Sequence, residues 1–441
     1  MDAPTIGITA DDLTGAADTA AALARAGRPV VVSLGLSLRS WRGRQAVAVN
    51  TDSRTRQPEE AYRLTRDSVV HLLDLGANLI YKKTDSNLRG NVGAELAAMA
   101  EALGRPVLFA PAFPARGRTV VDGLALIGGV PVADTEMGRD PEAPVTCSGV
   151  AELLREQWPA VALEHCPLRT VRAGVDSVTG ATPERGVLIL DAETEDDLHI
   201  IARAGLSLSP FPVLAGSAGL ARALADLLLG PRQPISWAGT EGGRVLRGGP
   251  ERRTCRTAAL QGPPPLLAVL ASSSSALAAQ VERAQRLPGV STVTLPCGNL
   301  SRDEGPLPEL HEAARRSVRA LTSGQTLVIC AAGPLPKVQH PVELVVQHLA
   351  HLAFVVVKET EPRGLLVGGG STAQGVLEAL GVEAIEVDDE PEVGVGAGVL
   401  VGGELARRPV VLKPGAAGDD EVVARLLQYL RRRATAAEKK Q

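Results

Sequence analysis

Short β-branched runs alternate with Ala- and Leu-rich stretches of helical length along almost the whole chain. That alternation predicts stacked βα units and largely parallel sheets. In the first half the strand-like runs are "TIGIT" (5–9), "PVVVSL" (29–34), "AVAVNT" (46–51), "NLIYKK" (78–83), "PVLFAP" (106–111), "GVLILD" (186–191) and "FPVLAG" (211–216). Between them lie helical stretches such as "GAADTAAALARAG" (15–27), which stops on Gly27. Near residues 230–265 the periodicity gives way to a Gly-, Pro- and Arg-rich segment that reads as a linker. A second series follows: "LLAVLAS" (266–272), "STVTLP" (291–296), "TLVICA" (326–331), "AFVVVK" (353–358), "GLLVGG" (364–369), "AIEVDD" (384–389) and "PVVLKPG" (409–415). The pattern predicts an N-terminal domain at about 1–250 and a C-terminal domain at about 265–441. Each is expected to be a Rossmann-like three-layer α/β/α unit with a mostly parallel sheet, and the ligand site is expected in the cleft between them. The tail "RRRATAAEKKQ" reads as frayed and solvated.

Composition narrows the partners. A chain of 441 residues is too long for one ordinary core, and 45% apolar against 22% charged residues is an ordinary globular balance. Aromatic residues make up only 2%, so the cores rest on Ala, Val and Leu, and the stacking platforms of single-stranded nucleic-acid binders are missing. Net charge is −4 with no basic stripe, which argues against duplex nucleic acid. The five cysteines form no CxxC pair and read as buried thiols of a reducing compartment. The start "MDAPTIGITADD" has no signal-peptide pattern, and no apolar run approaches the roughly 20 residues of a membrane helix. A cytoplasmic protein is expected. The sequence leaves the oligomeric state open, a homo-oligomer included.

In parallel sheets, ligands bind beyond the carboxyl ends of strands, where the next helices begin. Four strand ends in the first half carry an unusual load: Asp11 and Asp12 with Thr14; Asp52, Ser53 and Arg54; Lys82, Lys83, Asp85 and Arg89; and Phe113, Arg116 and Arg118. Helix capping and a solvated turn explain any one of these alone. Four in succession point to a cleft for a small, hydroxylated, negatively charged molecule. Arg54, Lys82 or Arg89 would pair with its carboxylate. Asp12 and Asp85 would accept hydroxyl hydrogens, and one of them would serve as general base.

In the second half the strand ends carry glycines and hydroxyls instead: "LASSSSALAAQ" (270–280), "CAAGPLP" (330–336), "VGGGSTAQG" (367–375) and "LKPGAAGDD" (412–420). Gly368, Gly369 and Gly370, followed by Ser371 and Thr372, open a helix with backbone N–H groups and hydroxyls placed to meet phosphate. Neither a Walker A run nor GxGxxG is present, and tight turns use glycine too, so this signal is weak by itself. A second loop bearing Lys413 strengthens it. An acid-and-hydroxyl site facing a phosphate site is the layout of a small-molecule kinase, whose chemistry needs positioning, charge neutralisation with Mg²⁺ and a base. GxSxG and HExxH are both absent, and the seven histidines show no metal-ligand spacing.

The motifs "ADDLTGAADTA", "TDSR", "KKTDSNLRGN", "APAFPARGRTV", "DTEMGRDP" and "AGSAGLARAL" occur in the order seen in the four-carbon acid sugar kinases, which the chain resembles over nearly its full length. The C-terminal half is similar to that family's nucleotide-binding domain through "SSSSALAAQ", "GGGSTAQGVLEALG", "EVGVGAGVLVGG" and "VLKPGAAGDD". The resemblance implies ATP-dependent phosphorylation of the terminal hydroxyl of threonate, erythronate or an oxo-tetronate. It also implies that Asp12, Arg54, Lys82, Lys83, Thr84 and Asp85 contact the acid, with Arg89 close by. Ser272, Gly370, Ser371, Lys413, Pro414, Gly415 and Ala416 would contact ATP. Two positions depart from the family pattern: Ser371 stands where an acidic residue is common, and Ala417 where an aromatic is usual.

Two other classes compete with a kinase. A dinucleotide-dependent oxidoreductase lacks its GxGxxG with a trailing acidic residue. A non-catalytic sugar-acid sensor would bind the acid without turning over nucleotide.

Overall fold

The computed structural model describes residues 4–36, 43–230, 264–271, 275–298, 300, 308–415 and 417–438. The first half contributes strands β1 (Ile6–Ala10), β2 (Val30–Ser33), β3 (Ala46–Asn50), β4 (Leu79–Lys83), β5 (Val107–Ala110), β6 (Arg118–Val121), β7 (Leu124–Ile127), β8 (Val130–Pro131), β9 (Leu163–Cys166), β10 (Val187–Leu190) and β11 (Val213–Gly216). The second half contributes β12 (Leu267–Leu270), β13 (Val290–Pro296), β14 (Thr326–Ala332), β15 (Leu365–Gly368), β16 (Val382–Glu392), β17 (Val395–Gly402) and β18 (Pro409–Lys413). Fifteen of these strands form one sheet in the order β13-β14-β12-β15-β18-β17-β16-β2-β3-β1-β4-β11-β5-β10-β9. Pairing is parallel within each half and antiparallel only around β16, β17 and the β16·β2 seam. The expected α/β class with a mostly parallel sheet therefore holds, and the two halves share a single sheet. The boundary at residue 250 and most of the linker lie outside the described residues.

The central strands are buried on both faces, which is why they read as continuous apolar runs. Helix Leu13–Arg25 is Ala-rich, capped at its start by Asp12 and stopped near Gly27 (φ +92°). It lies under the seam between the halves. β17 reaches it closely because residue 396 is glycine: a Cβ there would sit 2.8 Å from the Ala17 carbonyl oxygen.

Two expectations change, and some strands leave no pattern in the sequence. The run "AFVVVK" is the end of helix Pro341–Thr360. Its buried residues Leu344, Val345, Leu349, Leu352, Val356 and Val357 follow helical spacing, which a six-residue β-branched window conceals. By length and composition this helix is also long and apolar enough to cross a membrane. Its apolar face is instead buried in the protein core. Strand β9 and the separate three-stranded sheet β6-β7-β8 had no clear signal, because their residues are short and half-exposed.

Candidate functional site

The carboxyl ends of β1, β3 and β4 lie side by side, so the charged residues after them converge. Arg54 donates from Nε to Asp11 Oδ2 and from Nη2 to Asp12 Oδ1, both at 2.7 Å, and lies 4.0 Å from Asp85. Asp12 Oδ1 also accepts the Gly15 N–H at 2.9 Å, and Oδ2 accepts the Thr14 hydroxyl at 2.7 Å. Asp85 is clasped by Arg89 Nε at 2.8 Å, and Arg89 reaches Asp140 at 3.0 Å. Burial alone would raise the Asp85 pKa, but Arg89 and Arg54 outweigh it and hold the carboxyl well below the usual range. Burial opposes ionisation of Asp11 too, and there Arg54 and Lys82 prevail.

Asp12, Arg54, Asp85, Arg89 and Asp140 line a cavity of about 710 Å³ whose other wall comes from the second half: Gly369, Gly370, Ser371 and Thr372 after β15, and Pro414 and Gly415 after β18. The walls touch. A Cβ on Gly370 would lie 2.6 Å from Asp12 Oδ2, so only glycine lets the loop approach that carboxylate. Ser371 Oγ donates to Glu142 Oε1 at 2.8 Å, and Asn50 donates to Gln374 at 2.7 Å, both across the seam. Among the described residues, Lys83, Arg116 and Arg118 face this cavity without an ion-pair partner within 4.0 Å. Among the described residues Lys83 Nζ donates to the Thr84 carbonyl at 2.8 Å, Arg116 to the Val393 carbonyl at 2.6 Å, and Arg118 to the Asn87 amide oxygen at 2.8 Å and the Arg116 carbonyl at 3.2 Å. Three uncompensated, largely buried cations in one cavity call for an anionic ligand.

Comparison with known proteins agrees with this division. Residues 6–224 match a sugar-binding N-terminal domain, and residues 267–423 match a nucleotide-binding C-terminal domain. The chain is 30% identical over 428 residues to D-threonate kinase of Salmonella typhimurium, covering 96% of this chain and 97% of that protein. It is 30% identical over 451 residues to D-erythronate kinase of Heliobacterium modesticaldum, covering 96% of each. The chain belongs to the four-carbon acid sugar kinase family. A crystal structure from Salmonella typhimurium LT2 shares the fold, with a TM-score of 0.74 at 21% identity over 96% of this chain and 99% of that one.

Within this kinase-family fold the residues expected at the site separate into groups. Asp12, Arg54, Lys83, Asp85, Arg89, Gly369, Gly370, Ser371, Thr372, Pro414 and Gly415 line the shared cavity. Lys82 and Thr84 are not among the residues that line it: side chains alternate along an extended chain, and theirs point away from the cavity. Lys82 Nζ is buried 2.8 Å from Glu95, and the Thr84 hydroxyl is buried with no hydrogen-bond partner among the described residues. Lys413 is not among the lining residues either. Its side chain is fully buried and curls back to the carbonyls of Pro414 (3.1 Å) and Gly415 (2.6 Å), propping the loop. Burial, helped by Arg116, pushes the Lys413 pKa down to about 7. Ser272 and Ala416 lie outside the described residues.

Several further residues of the cavity carry little distinguishing signal in the sequence. Arg116 and Arg118 were visible at a strand end, but nothing local told them apart from the paired arginines. Asp140 and Glu142 come from a loop that the β6-β7-β8 insertion carries over the cavity. Asp18 lies on the inner face of helix Leu13–Arg25, one turn beyond Gly15, where the Ala-rich pattern hid it. Its carboxyl is pushed up to about 6 by burial, against the pull of Lys83 and Arg116.

Proposed function

We propose that this protein transfers the γ-phosphoryl group of ATP to the terminal hydroxyl of a four-carbon sugar acid, threonate, erythronate or an oxo-tetronate. The observation that supports this reading best is the single cavity in which free cations of one half face the glycine loop of the other, with Asp12 against Gly370. The acid's carboxylate would be held by Lys83 and the guanidinium groups of Arg116 and Arg118. Hydroxyls along its backbone would donate to Asp12 and Asp85, which Arg54 and Arg89 orient. The nucleotide's phosphates would lie along the N-terminus of helix Gly370–Ala379 and the Lys413–Gly415 loop. Mg²⁺ would arrive on the phosphates and neutralise their charge. Asp12 Oδ2, facing Gly370, is the carboxylate oxygen nearest the phosphate loop. The cytoplasm is the compartment that supplies ATP to such a reaction.

An ADP-release assay with Mg-ATP and a panel of tetronates tests the proposal. Turnover with at least one four-carbon acid is expected. If no acid released ADP while the acids still raised the melting temperature, a non-catalytic sensor would be the better description.

A further inference from the structure

Transfer to a hydroxyl needs a group that can take its proton. The two aspartates first expected to do so are poorly suited. Asp12 is already held on both oxygens: Oδ1 accepts Gly15 N–H and Arg54, and Oδ2 accepts the Thr14 hydroxyl. Asp85 is bound by Arg89 through three N–H contacts of 2.8–3.3 Å. A carboxylate clasped by a guanidinium, as Asp85 is by Arg89, is a weak base.

Asp18 differs in each respect. Only 7% of it is exposed, it lines the same cavity, and among the described residues no cation lies within ion-pair distance of it. Its one hydrogen bond is a long 3.3 Å contact from the Thr19 hydroxyl. The charged and titratable groups around it are Lys83 and Tyr81 from β4, Arg116 and Arg118 from the segment after β5, and Asp12 at the head of its own helix. β16 adds Glu390, which is already paired with Arg222 at 2.5 Å and with Arg25 at 3.6 Å. Asp18 lines the same cavity as Gly369, Gly370 and Gly415 of the phosphate loops.

We propose that Asp18 is the general base that takes the proton from the reacting hydroxyl. This rests on the kinase reading above. As the hydroxyl oxygen bonds to the γ-phosphorus, its proton passes to an Asp18 carboxylate oxygen. The bond from phosphorus to the β,γ-bridging oxygen breaks, and ADP leaves with that electron pair. Asp18 then returns the proton to water.

The test uses the full-length protein, Mg-ATP and whichever tetronate the wild type turns over best. Asp18→Asn is expected to lower kcat by roughly a hundredfold or more, with KM for the acid within about threefold of wild type. The wild-type kcat/KM should fall on the acid side with a break near pH 6, and that limb should be missing from the Asn variant. Asp18→Glu should restore part of kcat and keep a limb. Turnover of the Asn variant within about fivefold of wild type, or an acid limb that persists in it, would overturn the assignment. A melting curve and an ATP-induced shift in melting temperature establish that the Asn variant is folded. Should it not fold, an unchanged break in the Glu variant would count against Asp18. A wild type that turns over no tetronate would instead sink the kinase reading, a distinguishable result.

Discussion

Neighbouring residues of one strand have opposite duties in this protein. Lys83 looks into the cavity and Lys82 into the core, where it meets Glu95 at 2.8 Å. Removing one partner of a buried pair leaves an uncompensated charge, so Lys82→Met should destabilise by about 3–5 kcal/mol. The double variant Lys82→Met with Glu95→Leu should regain most of that loss in chemical denaturation. A Lys82→Met protein as stable as wild type would mean that the pair contributes nothing. Asp18 offers a pH test of its own. Burial raises its pKa from 3.8 to about 6, so the folded state holds its proton more tightly than the unfolded chain does. That stabilisation is complete below pH 3.8 and is lost as pH rises through about 6. Asp18→Asn should therefore raise Tm by roughly a few degrees above pH 6, and the gain should shrink towards pH 4. An equal gain at both pH values would contradict the raised pKa.

At the scale of elements, the head of helix Gly370–Ala379 has to approach both Asp12 and Glu142. Gly370→Ala would drive a Cβ to 2.6 Å from Asp12 Oδ2. It should lower kcat/KM for both substrates by about tenfold or more while leaving the fold intact, because the clash falls on the site and not on the core. Ser371→Asp would set a carboxylate against Glu142, whose pKa burial already raises. Its expected effect is a KM for ATP raised by about tenfold, and adding Glu142→Gln should reverse most of it. No rescue in the double variant would show that the two residues do not communicate. The elements themselves were largely legible in the sequence, because buried parallel strands are unbroken apolar runs. The reading failed where that rule misleads. "AFVVVK" is β-branched yet helical, and β6 to β9 are too short and too exposed to leave a pattern.

At the scale of the whole molecule, β16 adds to the edge of β2, and helix Leu13–Arg25 packs against β16 and β17 from the other half. Neither half completes its own sheet edge. Residues 1–230 expressed alone should expose β2 and the apolar flank of that helix, and should aggregate or melt well below the full chain. A monomeric, equally stable fragment by sedimentation and calorimetry would show that the halves are independent. The shared sheet also explains why the cavity is built from strand ends of both halves: the β16·β2 seam sets the two rows of strand ends beside each other.

Local pattern was enough to establish the α/β class, the charged strand ends and the motifs that mark the family, because these depend on residue type and short-range spacing. It was also enough to group Asp12, Arg54, Asp85 and Arg89 near one another, since their strands pair in parallel. Which charges are free and which are neutralised was decided only by the tertiary structure. Lys82 finds Glu95 and Arg54 finds Asp11, while Lys83, Arg116 and Arg118 find no ion-pair partner among the described residues, and those pairings depend on strand alternation and long-range packing. The same holds for Asp18, an unremarkable helical residue until β4 and the loop after β5 close over it. Burial alters a carboxyl's chemistry, and a linear sequence carries no direct record of burial.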